Sequence, residues 1–235
     1  EQYWVFKEAV SGMGDACRVL ETPVTGGNVS FYNESPTGAV FPTPTIGMLG
    51  VVEDVEAHAT TFDFKNEGDV LLLLQPSVIE KTCIEGSEYL ALIHGLTAGD
   101  APCFDLHSEK AVQDACLSII QSGLVNSAHD VSDGGLAVCL AEMSLASRDL
   151  GAEISLSSMG DSRLDAALFG EAQSRIVIAV SPEHAEKVQD CAAENGVAAL
   201  GIGKVTGTIF SLEVDGHRVI STTPEVMRHV YESAI

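Results

Sequence analysis

The sequence predicts an α/β fold in which a mixed sheet is packed with helices. Three observations predict it. Helix-period segments alternate with short strand-like runs along most of the 235 residues. Two of those runs, Val70 to Leu74 and Ile176 to Val180, are continuously apolar, as strands covered on both faces are. Hydrophobic residues make up 46% of the chain, and a chain of this length can bury a real core.

Residues 3 to 20 carry Trp4, Val5, Val10, Met13, Cys17 and Leu20 near helical spacing, and Thr22-Pro23 stops that helix. Val24 to Asn33 and Pro44 to Val52 read as two strands joined through a turn containing Ser35-Pro36-Thr37-Gly38. Residues 54 to 66 are polar and irregular, which puts a domain boundary near residue 62 and divides the chain into 1–61 and 62–235. Asp69 to Gln75 follows as a buried strand, Ser87 to His94 as a short helix and Asp105 to Gln121 as an amphipathic helix. Ser127 to Val131 is a strand, Gly135 to Ala146 a helix, Ala152 to Leu156 a strand, Leu164 to Phe169 a helix and Arg175 to Val180 a core strand. Pro182 to Asn195 has proline in its first turn and Gly196 just past its end, the usual asymmetry of a helix. Val197 to Val205, Ser211 to Val214 and His217 to Ser221 read as strands, and Thr223-Pro224-Glu225 opens a last helix. The sequence holds no internal repeat and no low-complexity tract.

Lys plus Arg number 12 against 34 Asp plus Glu, a formal charge of -22. Such a surface repels phosphate backbones and anionic lipid, which excludes nucleic acid and membrane surfaces as partners. A bound nucleotide would need Mg²⁺, glycine amides or helix N-termini to offset its charge. The six cysteines, Cys17, Cys83, Cys103, Cys116, Cys139 and Cys191, form no CxxC pair. They read as free thiols, several of them buried, in a cytoplasmic protein. No apolar run reaches spanning length and no secretory signal is recognisable. The chain opens at Glu1, without Met, inside a helical pattern, as a fragment would.

Three motifs carry potential chemistry. In Thr25-Gly26-Gly27-Asn28-Val29-Ser30-Phe31-Tyr32-Asn33-Glu34, bare glycine backbone can approach a phosphate, and Asn, Ser and Glu offer oxygens to Mg²⁺ or substrate. The same residues also suit a tight turn entering a hairpin. In Ala128-His129-Asp130-Val131-Ser132-Asp133-Gly134-Gly135-Leu136, the glycines free amides at a helix N-terminus, and Ser132 and Asp133 are natural N-caps. His129 and Asp130 would fix the turn by hydrogen bonds, or join Asp133 at a metal. In Phe169-Gly170-Glu171-Ala172-Gln173-Ser174-Arg175, Glu171, Gln173 and Arg175 share one side if the strand begins early, with Arg175 neutralising Glu171. His58, His94, His107, His184, His217 and His229 are scattered, and none forms a catalytic pair with a Ser or Cys.

Taken together, Gly26 to Glu34, Pro42-Thr43-Pro44-Thr45-Ile46-Gly47-Met48, Gly86-Ser87-Glu88-Tyr89, His129 to Leu136 and Phe169 to Arg175 occur in an order that resembles the C-terminal part of the synthetase subunit of the phosphoribosylformylglycinamidine synthase family. That family shares its fold with aminoimidazole ribonucleotide synthetases, selenophosphate synthetases and hydrogenase maturation factors. The resemblance covers essentially the whole chain. It implies the C-terminal half of a duplicated synthetase fold, with 1–61 the rear of a second N-type domain and 62–235 a second C-type domain. It implies an ATP-dependent ligase of purine biosynthesis that turns formylglycinamide ribonucleotide, ATP and glutamine-derived ammonia into the amidine, ADP and phosphate. The implied partners are a glutaminase subunit, a small accessory subunit and the N-terminal half of the same polypeptide.

By the same resemblance Gly27 contacts ATP through its backbone, Asn28 holds Mg²⁺ through its side-chain oxygen and Ser30 contacts the ribonucleotide. The catalytic histidine and main metal carboxylates belong to the first half, so no catalytic residue is expected in this chain, and the isolated chain is expected to be inactive. His129 to Gly135 and Glu171 to Arg175 belong to the second, pseudo-symmetric site, which in some relatives holds a structural nucleotide; Ala172 stands there where a polar residue is usual. Aminoimidazole ribonucleotide synthetases follow the glycine pair with Glu-Thr-Ala-Glu, unlike Asn28-Val29-Ser30 here. Selenophosphate synthetases need an N-terminal Cys or selenocysteine. A module that only braces the catalytic half is the reading from outside the enzymes.

Overall fold

The computed structural model describes residues 2–30, 34–36, 38–40, 43–78, 83–103, 105–147, 149–157 and 163–234. Phe31, Tyr32 and Asn33 of the first motif, together with Thr37 and Pro42, lie outside them. The chain divides into two compact units, Glu1–Val51 and Val52–Ile235.

In the first unit, helix α1 spans Gln2–Val19, and Thr22 stops it with its backbone N–H on the Cys17 carbonyl. The strands expected at 24–33 and 44–52 do not form over the described residues. What forms is the turn between them: β1, Glu34–Ser35, pairs antiparallel with β2, Gly38–Ala39. A strand exists only when its N–H and C=O groups find a partner backbone, and period-2 patterning says nothing about where that partner is. Val24, Val29, Ile46, Met48 and Leu49 are all exposed, so no burial compensates for the missing ladder.

The second unit is a helix–sheet–helix arrangement. Its elements in order are α2 (Val55–His58), β3 (Val70–Pro76), α3 (Glu88–His94), α4 (Leu106–Gln121), β4 (Ser127–Asp130), α5 (Gly135–Ala146), β5 (Gly151–Leu156), α6 (Leu164–Phe169), β6 (Ile176–Val180), α7 (Ala185–Glu194, entered by a short 3₁₀ turn at Pro182–His184), β7 (Val197–Thr206), β8 (Phe210–Val214), β9 (His217–Thr222) and α8 (Pro224–Ser233). Seven strands run in the order β4-β6-β3-β7-β5-β8-β9. All neighbours are antiparallel except β5 and β8, so the sheet is mixed, as the sequence predicts.

β3 lies third from one edge and explains why its sequence does not alternate. Leu71 and Leu73 enter a core with Leu136, Leu140 and Met143 of α5, Leu168 of α6 and Phe210 and Leu212 of β8. Leu72 and Leu74 enter the opposite core with Val112, Ala115 and Ile119 of α4 and Val188 and Ala192 of α7. Successive side chains of a strand point to opposite faces, so a strand covered on both faces needs an apolar residue at every position. α5 is apolar nearly all round, because α6 and α8 pack on it while it covers the sheet. The local end signals hold: Asp54, Ser87, Asp105 and Thr223 each accept a hydrogen bond from the backbone N–H three residues on, capping α2, α3, α4 and α8. Among the described residues no helix is long and apolar enough to cross a membrane.

Cys116 on α4 and Cys139 on α5 are buried in the two cores, one on each side of the sheet. Burial pushes the Cys116 thiol up to about 11 and the Cys139 thiol higher still, because a thiolate is poorly solvated there. The unfolded chain therefore loses these protons at lower pH than the folded one, and stability falls as pH rises through 9, the ordinary thiol value. Urea unfolding should show a loss of about 1 kcal/mol per buried thiol between pH 9 and pH 10. Cys139→Ala should remove about half of that slope.

Candidate functional site

The glycine-Asn-Val-Ser segment has no regular secondary structure and is exposed. A Cβ added at Gly26 or Gly27 would meet nothing within 4 Å, so no packing inside the unit demands glycine there. The Asn28 side-chain N–H donates to Ser30 Oγ at 3.4 Å. Among the described residues this leaves the Asn28 carboxamide oxygen for an outside group. Gly27, Asn28 and Ser30 thus lie together on one open stretch of backbone.

The other two motifs converge. The loop 170–175 and the β4–α5 junction line a cavity of about 450 Å³, together with Glu109 and Gln113 of α4. Four carboxylates (Glu109, Asp130, Asp133 and Glu171) and one guanidinium, Arg175, reach its wall.

Its polar wiring differs from the expectation in three respects. Ser132 and Asp133 do not cap α5. The N-cap is Gly134, in the left-handed region at φ 78°, with no side-chain cap of its own. Its N–H donates to Glu171 Oε1 at 2.8 Å, and that same oxygen accepts the Glu88 N–H of α3, also at 2.8 Å. A carboxylate 37 residues away thus takes the place of the local cap, as the partial positive charge at a helix N-terminus favours.

Second, Arg175 does not neutralise Glu171. It is 4% exposed, and its Nη2 and Nε donate to the carbonyls of Gly170 at 2.6 Å and Ala172 at 3.1 Å. With carbonyls rather than a carboxylate as its hydrogen-bond partners among the described residues, burial lowers its pKa to about 10. The alternation of Glu171, Gln173 and Arg175 does not extend the strand, which starts at Ile176. Ser174 breaks it at φ 62° and gives its hydroxyl to Glu109 Oε2 at 2.6 Å.

Third, His129, Asp130 and Asp133 do not gather at a metal. His129 sits between Asp130 (Nδ1 to Oδ1, 3.2 Å) and Glu142 (Nε2 to Oε2, 3.0 Å), against the ring of Phe62. These hydrogen bonds join β4 to α5 and leave the intervening turn without a bond from either side chain among the described residues. No group of three or more His, Cys, Asp or Glu suited to a metal ion occurs among the described residues. Glu171 as a remote cap, Glu109 as the partner of Ser174 and Glu142 as the partner of His129 all escape sequence reasoning. No local sequence signal points to the first, since its two contacts lie 37 and 83 residues away.

Gly135 is a position in this site where glycine is obligatory. Its φ is 71°, and a Cβ there would lie 2.7 Å from the Phe169 carbonyl carbon and 2.8 Å from the Gly170 oxygen, both backbone. Gly135→Ala should cost about 2 kcal/mol or more in chemical denaturation, while Gly26→Ala, in open space, should cost less than about 0.5 kcal/mol.

Comparison with known proteins gives the family. The AIR synthase related protein C-terminal domain matches residues 66–215 and the corresponding N-terminal domain matches 1–52. The phosphoribosylformylglycinamidine synthase subunit PurL of Salinibacter ruber is 53% identical over all of this chain, and that of Moorella thermoacetica 48%. The chain spans 31% of the length of each of these relatives. Among solved structures, Thermotoga maritima PurL complexed with FGAR aligns with a TM-score of 0.60 at 20% identity, over 72% of this chain and 29% of that one. The same protein complexed with ATP aligns at 0.57, over 73% and 27%. These bear out the fold class and the resemblance read from the motif order: the chain belongs to the AIR synthase related family.

Proposed function

We propose that this chain is the C-terminal part of the synthetase subunit of a phosphoribosylformylglycinamidine synthase. The whole subunit would convert formylglycinamide ribonucleotide, ATP and ammonia from glutamine into formylglycinamidine ribonucleotide, ADP and phosphate. The observation that carries this reading is the 53% identity to a PurL subunit across the full chain. Thermotoga maritima PurL in complex with FGAR and with ATP supports the two substrates, and PurLQS from the same organism supports a multi-subunit setting; the partners would be a glutaminase subunit and a small accessory subunit. In this reading residues 1–61 are the rear of an N-type domain and 62–235 a C-type domain.

The roles assigned within it are narrow. Gly27 would accept a phosphate against its bare backbone, Ser30 would hold the ribonucleotide through its hydroxyl, and Asn28 would give one oxygen to Mg²⁺. Asn28 fits that task chemically: its amide hydrogen is directed to Ser30, and Mg²⁺ takes oxygen ligands. A single carboxamide cannot hold the ion alone, so the other ligands would come from the preceding half. Mg²⁺ would supply charge neutralisation on the transferred phosphoryl group; these residues would position and orient. The protein would act in the cytoplasm.

Two measurements test the reading. With formylglycinamide ribonucleotide, ATP, Mg²⁺ and ammonia, the isolated chain should release no ADP above background, and measurable turnover would overturn the assignment of catalysis to the preceding half. In the full-length subunit Asn28→Ala should lower kcat/KM for ATP by about tenfold at limiting Mg²⁺, with partial recovery at high Mg²⁺. Unchanged kinetics would reduce the segment to a turn.

A further inference from the structure

We infer that α3 is a hinged strap, clasped to its unit by the Glu171 carboxylate and released as one piece when that clasp is lost. Nothing in the proposed ligase chemistry uses Glu171 or α3, so this inference stands apart from it.

The starting point is how little else holds α3. It is seven residues long and contains no buried residue. A helix this short does not persist in water by itself, so it needs docking. Burial of its own side chains supplies little of that: Tyr89, Leu90 and Ala91 are only half-buried, and Leu92 is 78% exposed and Ile93 63%. Among the described residues, one hydrogen bond and one ring stack tie the helix itself to the rest of the unit. The first is the Glu88 N–H on Glu171 Oε1 at 2.8 Å. The second is the ring of Tyr89 stacked on Phe169, centroids 4.6 Å apart and planes within 12°.

Both contacts land on one short stretch, Phe169 to Glu171, whose own position is fixed. The buried Arg175 holds the Gly170 and Ala172 carbonyls, and the backbone of Phe169 and Gly170 lies against Gly135. The same Glu171 oxygen caps α5 through Gly134. One charged acceptor therefore joins a firmly embedded helix to a weakly held one. Hydrogen bonds from backbone N–H groups to a carboxylate are the stronger kind. Gly86 at φ 69° and Gly95 at φ 64° bracket the strap, conformations in which glycine turns without strain.

The strap also shapes a surface. Tyr89 and Phe169, with Leu164, Leu168 and Ile220, line a groove of about 590 Å³. Glu171 meanwhile lies on the wall of the acidic cavity described above. Docking of α3 thus supplies one wall of the groove through Tyr89, while the carboxylate that holds α3 lines the neighbouring cavity. The motifs Ser87-Glu88-Tyr89 and Phe169-Gly170-Glu171 are the two halves of one clasp.

Hydrogen exchange of the full chain, read by mass spectrometry, tests this. In Glu171→Ala the amides of residues 88–94 should exchange at least about tenfold faster, while β3 and β6 keep their protection. Glu171→Gln, whose amide oxygen still accepts both N–H groups without the charge, should fall between. Unchanged exchange over 88–94 in Glu171→Ala would overturn the inference. Should Glu171→Ala lose protection in β3 and β6 as well, Tyr89→Ala decides, because it removes the stack and leaves both caps. Faster exchange confined to the strap would support release as a unit; unchanged exchange there, or loss shared with the core strands, would overturn it.

Discussion

Burial of β3 on both faces is the constraint from which the rest of the larger unit follows. A strand with Leu71 and Leu73 in one core and Leu72 and Leu74 in the other needs a helical layer on each side of the sheet. α4 and α7 supply one, and α5, with α6 and α8 packed on it, supplies the other. Four fully buried leucines contribute on the order of 6 to 12 kcal/mol of transfer free energy, enough to set the register of the neighbouring strands. The β4–β6–β3 pairing places Asp130 opposite Ile176, which brings the β4–α5 junction and the loop 170–175 to the same end of the sheet. The cavity is thus a product of strand pairing; its polar side chains decorate a gap that the core has already made.

Electrostatics at that end rest on backbone as much as on ion pairs. Glu171 is met by two amides and Arg175 by two carbonyls. The two opposite charges lie four residues apart, yet each is satisfied by main chain. This serves geometry better than a direct pair would. An Arg–Glu bridge ties one side chain to another, whereas these contacts tie three separate segments (α3, the α5 start and the 170–175 loop) to one another.

Most of the fold was legible in the sequence, and the exceptions share a cause. Helix ends came out well where the signal is local. Ser87, Asp105 and Thr223 cap as their types suggest, and the spans Gly135–Ala146 and Leu164–Phe169 match expectation although neither helix has a local side-chain cap. The failures are non-local. The strands expected at 24–33 and 44–52 depend on partner backbone that period-2 patterning cannot locate. The cap of α5 comes from 37 residues downstream, and the Glu88 contact spans 83 residues. Arg175 beside Glu171 invites a salt bridge on paper, but the left-handed Ser174 turns the chain between them. At the glycine-Asn-Val-Ser segment the choice between a turn and a phosphate cradle could not be made from spacing, and only the order of several motifs narrowed it.

The exposed apolar residues of the smaller unit have a colloidal consequence. Tyr3, Trp4, Ile46, Met48, Leu49 and Val51 are all exposed, and apolar area left in water favours association. The opposing force is the net charge of -22, whose mutual repulsion keeps molecules apart. That repulsion acts over about 8 Å at physiological ionic strength and about 3 Å in 1 M salt, whereas apolar attraction is strengthened by sulfate and phosphate. Dispersion of this chain in solution is therefore a balance tuned by salt, and ammonium sulfate acts on both sides of that balance in the same direction.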